Sequence, residues 1–432
     1  MRDPRFTILK ALAIVLVVLS HAGVPGWLNH FLFSVHVPAF FLCAGWFFGT
    51  RHLSAPWGYV ASRARRLYLP FVKWSLFFLV VHNLLFPLGL LSETYGNADG
   101  GVTHPYTWGQ TAQHAWDIVF GLRGYDPMLC GTFWFFRTLL LASVAFLLLF
   151  KMLRRSRRFA TDTAAGWGMF CVSAALTLWM ALGGLTVPGV AQGGYRELTA
   201  LTLMSAGFLL RCYGADERLT PRVLLPCLAV YVAAGLWFPS CMDAKADALR
   251  FVELLPAAVA GFALLFFLSS KVAVLRGRAA GGLRDALLYI GDRTLYIFAF
   301  HFLAFKAVSA LRVACEGLPW GMVGSHPIIH SPAGGFGWTL LYLLAGVALP
   351  LAWVSCYRRI AARWTLTWTD AGSFALAAAV VAARGTAFAV RVSCHGVWFG
   401  CRAVWNWCVS SVRLFVQGVK DIIDASKPRD EE

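Results

Sequence analysis

Long apolar stretches separated by short polar connections dominate the chain. Most of them approach the ~20 residues that an α-helix needs to cross the ~30 Å hydrocarbon core of a bilayer. The predicted spans are Ile8–Val24, Phe31–Gly49, Leu67–Leu91, Thr132–Phe150, Ala165–Leu182, Glu197–Leu210, Val223–Phe238, Arg250–Leu268, Leu287–Ala310 and Gly337–Tyr357. About ten such helices predict an all-α, polytopic integral membrane protein whose surroundings are the lipid bilayer.

The composition agrees with this pattern. Of the 432 residues, 59% are hydrophobic and only 14% are charged, whereas soluble domains carry about 25% charged residues. The net charge of +17 raises the question of a nucleic-acid partner, but the basic residues are clustered in alternate connections. These clusters lie at residues 51–66, 151–158, 211–222, 271–284 and 358–363. The positive-inside rule therefore predicts that both termini are cytoplasmic, and we expect no nucleic-acid partner.

The character of the chain changes after the last predicted span. We expect a transmembrane domain at 1–359 and a cytoplasmic tail at 360–432. Basic residues of the tail recur at intervals of seven or eleven residues between Arg384 and Lys420, which keeps them on one face of a helix. A basic amphipathic helix lying on the membrane surface fits this spacing. The alternative is an eleventh span at Phe374–Val392, which the charge of Arg384 disfavours.

Two ionisable residues occur within the first span. Lys10 and His21 are eleven residues apart in KALAIVLVVLSHAG, so they share one helix face and are separated by a rise of ~16 Å. Ionisable groups are costly inside a bilayer and indicate a functional site unless they have another explanation. For Lys10 that explanation is snorkelling to the headgroups, and for His21 it is packing inside the protein.

Two further histidines lie in other spans. His36 occurs early in FSVHVPAFFLCAGWFFG, and His301 lies seven residues after Thr294 in YIGDRTLYIFAFHFLAF. In the predicted topology both fall in the outer half of their helices, at a depth similar to that of His21. Three histidines at one depth on separate helices favour a shared site.

A pair of arginines precedes the third span. Arg63 and Arg66 are three residues apart in SRARRLYLPF. Guanidinium groups suit phosphate recognition, because their planar fork of donors matches the phosphate oxygens. The alternative is that both arginines serve only as determinants of topology.

The order of these motifs resembles the membrane-bound acyltransferase-3 family of sugar O-acyltransferases. The chain contains K-x10-H, then H-x-P followed by F-F-L-x-x-G, then R-x-x-R-L-x-x-P, and late in the sequence G-x-x-T-L-Y-x4-H. The resemblance implies transfer of an acyl group, commonly acetyl from acetyl-CoA, to a hydroxyl of a glycan, a lipid-linked sugar or another cell-envelope acceptor. It also implies a location in a bacterial inner membrane. It assigns catalytic positions to His21, His36 and His301, and donor-binding positions to Lys10, Arg63 and Arg66.

The chemistry of these side chains agrees with the resemblance. Acyl transfer to an alcohol needs a base, and histidine titrates near neutral pH. We expect His21 to be that base and the cations to hold the phosphates of CoA. Many members of the family have an aspartate at the position of Thr7, so Glu197 and Glu253 are the candidates for a carboxylate that orients His21.

An alternative function is transport of an anionic cargo. A transporter or flippase would use the intramembrane histidines to relay protons and the arginines to recognise the cargo. The eleven cysteines lack the paired spacing of a metal site, so we expect no metal.

Overall fold

Helices form all the regular secondary structure of the described chain. The structure is a computed structural model that describes residues 3–96, 102–184, 186–238, 241–242, 246–330 and 335–363. Its α-helices are α1 Pro4–Ser20, α2 Gly26–Trp46, α3 Pro56–Arg63, α4 Leu69–Leu85, α5 Trp108–Gly121, α6 Trp134–Leu153, α7 Asp162–Gly183, α8 Tyr195–Cys212, α9 Pro221–Trp237, α10 Ala248–Ala273, α11 Arg278–Gly291, α12 Thr294–Glu316 and α13 Phe336–Arg363. A π-helical turn at Ala64–Tyr68 joins α3 to α4. Within these ranges no residue lies in a β-strand.

Seven of the described helices are long and apolar enough to cross a membrane. They are α2, the continuous helix formed by α3 and α4, α6, α7, α10, α12 and the Phe336–Tyr357 part of α13. The prediction of an all-α membrane protein is therefore confirmed. The count of about ten stays a prediction, because it also needs α1, α8 and α9, and α9 is apolar but shorter.

The ninth predicted span is divided in the structure. A continuous helix was expected over Leu287–Ala310, but α11 ends at Gly291 and α12 begins at Thr294. His301 therefore lies in the first half of α12 rather than beyond the middle of its helix. The physical reason is the polar pair Asp292 and Arg293, which interrupts the apolar run and ends the amphipathic helix α11.

The first helix begins earlier than its apolar stretch. Pro4 occupies the first helical turn, and the Asp3 side chain accepts a hydrogen bond from the Arg5 amide, as an N-cap does. The helix ends at Ser20, and the chain then turns through Gly23, whose φ is +84°, a conformation that favours glycine. These two ends place His21 at the C-terminal cap of α1.

Helices α1 and α2 lie at the centre of the packing. Helix α1 packs against α2, α10, α11 and α12, and α2 also packs against α8, α9 and α10. At the crossing with α8, Gly45 faces the backbone of Met204, and Gly207 of α8 faces the backbone of Leu42. A Cβ atom at either glycine would overlap that backbone, so close contact between these two helices requires glycine.

The chain divides into two compact units at Leu351. The first unit, Met1–Leu351, contains all the helices before α13 and the first part of α13. The predicted tail beyond residue 363, including the alternative span Phe374–Val392, lies outside the described residues. The expected tail helix and its position on the membrane surface therefore stay predictions.

Candidate active site

The structure brings His21 and His301 together. Their ring centroids are 5.7 Å apart with an interplanar angle of 33°. His21 caps α1 and His301 lies inside α12, and these two helices pack against each other. Phe302 contacts both rings, with centroid distances of 5.1 Å to His21 and 4.5 Å to His301.

Hydrogen bonds fix the orientation of the His301 ring. Its Nδ1 lies 3.1 Å from the carbonyl oxygen of Ile297 and 3.0 Å from that of Phe298. A carbonyl oxygen only accepts, so Nδ1 must carry the proton and Nε2 must hold a lone pair. Nε2 is buried and has no hydrogen-bond partner. His301 therefore presents an unused acceptor nitrogen inside the helix bundle.

His21 has a different environment. Its side chain is half-buried, and its ring makes no hydrogen bond with any described residue. His301, His36 and His326 are close enough for their charges to act on it. The ring of His21 is thus partly exposed and lies beside an acceptor whose orientation is fixed.

His36 lies in the wall of the same region. It is 2% exposed, and its Nδ1 donates a hydrogen bond to the carbonyl oxygen of Leu32. Of the three predicted histidines, His21 and His301 are therefore in ring contact, whereas His36 of α2 is close enough to His21 for its charge to act on it.

The predicted cations lie on two parts of the fold. Lys10 is half-buried on α1. The Arg63 guanidinium lies over the Tyr59 ring at 4.9 Å, and Arg66 is exposed on the π-helical turn Ala64–Tyr68. A π-turn holds more residues than an α-turn, so the two arginines are not stacked as in a regular α-helix. The two arginines also have different neighbours from Lys10. Helix α3 and the π-helical turn pack against α6, whereas α1 packs against α2, α10, α11 and α12.

The candidate carboxylates do not orient His21. Glu197 accepts from Arg137 Nε at 2.9 Å and from the Thr138 hydroxyl at 3.0 Å. A buried carboxylate requires such partners, so Glu197 belongs to a separate ion pair. Glu253 is half-buried on α10 and makes no hydrogen bond to His21 among the described residues.

Thr7 is also remote from the histidines. It lies fourteen residues before His21 on α1, a rise of ~21 Å. It is buried where Gly291 approaches α1, and a Cβ atom at Gly291 would overlap the Thr7 carbonyl oxygen. Position 7 therefore cannot supply the partner of His21, and the group nearest to that role is His301.

Sequence reasoning missed a second buried polar cluster. His82 Nδ1 lies 2.5 Å from Asp126 Oδ2, and His82 Nε2 lies 2.9 Å from the His104 carbonyl oxygen. Tyr106 stacks on the imidazole with centroids 3.7 Å apart. His82 could have been recognised from the sequence, because it is an ionisable residue in an apolar run. Asp126 could not, because it lies in a polar connection where a carboxylate is ordinary. Hydrogen bonds of this cluster connect α4, which carries His82, to the α4–α5 connection and to the α5–α6 connection.

Lys306 and His326 were missed as well. Lys306 is 2% exposed, and its Nζ donates to the Ser325 carbonyl oxygen at 2.5 Å. His326 contacts Phe302 with centroids 5.0 Å apart. Burial lowers the pKa of His326 to about 4, and the charge of Lys306 acts in the same direction, so His326 is neutral at pH 7.

Comparison with known proteins gives the family. A family model described as an acyltransferase domain matches residues 3–355. Neither a curated protein nor a solved structure matches the chain significantly. The matched segment contains the three histidines, the predicted cations, six of the seven candidate spans and all but the last two residues of the seventh. Because it covers most of the chain, the protein belongs to the acyltransferase-3 family and is an integral membrane acyltransferase.

Proposed function

We propose that this protein is an O-acyltransferase that moves an acyl group, commonly acetyl, from acyl-CoA to a hydroxyl of a cell-envelope glycan. The observation that carries the proposal is the His21–His301 pair, in which a half-buried imidazole lies 5.7 Å from a second ring with an unpartnered acceptor nitrogen. Acyl transfer to an alcohol requires a base of this kind. The family match favours this function over transport of an anionic cargo.

His21 is the base in this scheme. One ring nitrogen of His21 donates a hydrogen bond to His301 Nε2, which leaves the lone pair of the other nitrogen for the acceptor hydroxyl. No hydrogen bond joins the two rings in the structure, so in this scheme the bond forms when substrate binds, as catalytic hydrogen bonds often do. In this scheme His301 has the role that a carboxylate has in a serine-protease catalytic triad. It fixes the tautomer of the base and stabilises the imidazolium.

The reaction exchanges one bond for another. The acceptor oxygen forms a bond to the acyl carbon as its proton passes to His21. The carbon–sulfur bond of the thioester breaks, and the CoA thiolate leaves and takes up the proton from His21. The products are the ester and free CoA, so the reaction needs no oxidant, reductant or metal.

The donor site uses the cationic residues. CoA carries phosphates that cannot enter lipid, and Lys10, Arg63 and Arg66 are the side chains that we assign to them. Lys10 lies a rise of ~16 Å from His21 on α1, which leaves room for the extended pantetheine arm between the phosphates and the base. In this proposal the donor binds at the cytoplasmic side of a bacterial inner membrane, the side on which both termini lie.

Release of CoA from acetyl-CoA tests this function. We expect the purified protein in detergent to release thiol from acetyl-CoA and His21→Ala to lose this activity by about 10²-fold or more. His30→Ala is the matched control, because His30 is a half-buried histidine on α2 outside the site. Normal turnover by a well-folded His21→Ala protein would refute the assignment of the base.

A further inference from the structure

A cavity of about 300 Å³ opens beside the C-terminal end of α1. Its lining includes Ala22, Gly23, Arg312, Trp338, Thr339 and Tyr342. Ala22 and Gly23 directly follow His21, so the cavity lies beside the turn that follows the proposed base. An acceptor that occupied the cavity could therefore also reach His21.

Arg312 has one donor nitrogen without a partner. Its Nε lies 3.0 Å from both carboxylate oxygens of Glu316, and its Nη1 donates to the Ile329 carbonyl oxygen at 3.1 Å. Nη2 is buried and makes no hydrogen bond. The Arg312 side chain is only 2% exposed, and leaving a buried donor unpaired is costly. A ligand oxygen is the partner that the cavity can offer.

Two other polar side chains of the cavity wall are already paired. Thr339 donates to the Gly23 carbonyl oxygen at 3.3 Å, and the Tyr342 hydroxyl lies 3.0 Å from that of Ser309. Among the described residues of the wall, the buried side-chain donor without a partner is therefore Nη2 of Arg312.

The charge at this position favours an uncharged ligand oxygen. The carboxylate of Glu316 balances the guanidinium of Arg312, so the pair has no net charge to attract an anion. The indole of Trp338 also lines the cavity, with its centroid 5.5 Å from the guanidinium carbon. An aromatic ring beside a hydrogen-bond donor whose charge is already balanced suits the apolar face and the hydroxyls of a neutral sugar.

The cavity lies some distance from the reacting groups along α12. Arg312 is eleven residues after His301 on this helix, so both project from nearly the same face with a rise of ~16 Å between them. This is farther than one sugar ring spans. An acceptor that reaches from Arg312 to His21 is therefore longer than one sugar unit.

We propose that the cavity is a distal acceptor subsite, in which Arg312 Nη2 donates a hydrogen bond to an uncharged oxygen of a sugar unit that lies against Trp338. This inference rests on the proposed acyltransferase function. It adds that the acceptor is an oligosaccharide with a neutral unit at this position, rather than a single sugar or an acidic chain.

The test separates transfer to glycan from hydrolysis of the donor. Cell-envelope oligosaccharides of the source organism are deacetylated and divided on an anion exchanger into a neutral and an acidic fraction. Each serves as acceptor with acetyl-CoA, and release of CoA without acceptor is measured in parallel. The variants are Trp338→Leu and Arg312→Lys, which keeps the charge beside Glu316. Trp57→Leu is the control, because Trp57 is 83% exposed and outside the cavity.

We expect the neutral fraction to be acylated and its KM to rise about 10-fold in each cavity variant. Release of CoA without acceptor stays within about 2-fold of the wild type, which also shows that the variants are folded, and Trp57→Leu behaves as the wild type in both assays. An unchanged KM in Trp338→Leu and Arg312→Lys would overturn the subsite. So would acylation of only the acidic fraction, or CoA release with transfer to neither fraction. Failure of the wild type to release CoA from acetyl-CoA would instead refute the proposed function.

Discussion

The partnership between His21 and His301 predicts a graded set of activities. In His301→Asn the side-chain amide can still donate to the carbonyl oxygens of Ile297 and Phe298, but no atom replaces Nε2. His21 remains present and loses only its hydrogen-bond acceptor. The variant therefore removes the orienting contact while it leaves the base and the helix anchor in place.

The size of the effect follows from the burial of Nε2. A hydrogen bond to a charged group contributes about 1.5–3 kcal/mol, and the imidazolium of His21 exists only during proton transfer. His301→Asn should therefore lower kcat by about 10- to 150-fold and leave the KM for acetyl-CoA close to that of the wild type. His21→Ala removes the base itself and should cost about 10²–10⁴-fold.

Steady-state release of CoA from acetyl-CoA measures both variants. His301→Gln is a second comparison, because its longer side chain can bring an amide oxygen near the position of Nε2 and should recover part of the rate. The double variant of His21→Ala with His301→Asn should be no slower than His21→Ala alone, because both substitutions interrupt the same proton transfer. Wild-type kcat in His301→Asn would refute the partnership. A double variant slower by the product of the two single effects would show that the histidines act independently.

Three further predictions concern donor binding, topology and stability. Arg66→Ala should raise the KM for acyl-CoA by about 10- to 150-fold, because it removes a charge-assisted phosphate contact, and Arg66→Lys should recover part of this; CoA binding by calorimetry that equals the wild type would contradict the assignment. Thiol labelling of intact cells should modify a cysteine introduced at Gly100 but not one at Lys427, and labelling of both would require another span in the tail. Asp126→Asn should destabilise the fold by about 1–3 kcal/mol, because one carboxylate oxygen accepts from His82 and the other from the Met128 and Leu129 amides, whereas an amide side chain has one acceptor oxygen; an unchanged thermal midpoint in detergent would show that the cluster is dispensable.

Much of the fold could be predicted because the bilayer imposes helix length and hydropathy together. The apolar runs identified the seven helices that are long enough to cross a membrane. Hydropathy could not reveal the break after Gly291, because apolar residues continue on both sides of Asp292 and Arg293. For the same reason the sequence did not predict that His301 lies in the first half of its helix.

The candidate site was predictable only as a set of residue types on helices. Eleven-residue spacing placed Lys10 and His21 on one face, but it could not show that His301 would lie beside His21. That contact depends on the packing of α1 against α12, which lie at opposite ends of the chain. The same limit explains Glu197: its position in a span suggested a partner for His21, whereas packing against α6 gives it Arg137.

We propose that this protein transfers an acyl group from acyl-CoA to a glycan hydroxyl through His21, and this transfer can be measured. The most direct measurement is mass spectrometry of cell-envelope oligosaccharides after incubation with deuterium-labelled acetyl-CoA and the purified protein. We expect a deuterated acetyl ester on the glycan, and we expect hydroxylamine to remove this ester. It should form with the wild type and with His30→Ala but not with His21→Ala. Absence of the label with the wild type, or equal labelling with His21→Ala, would contradict it.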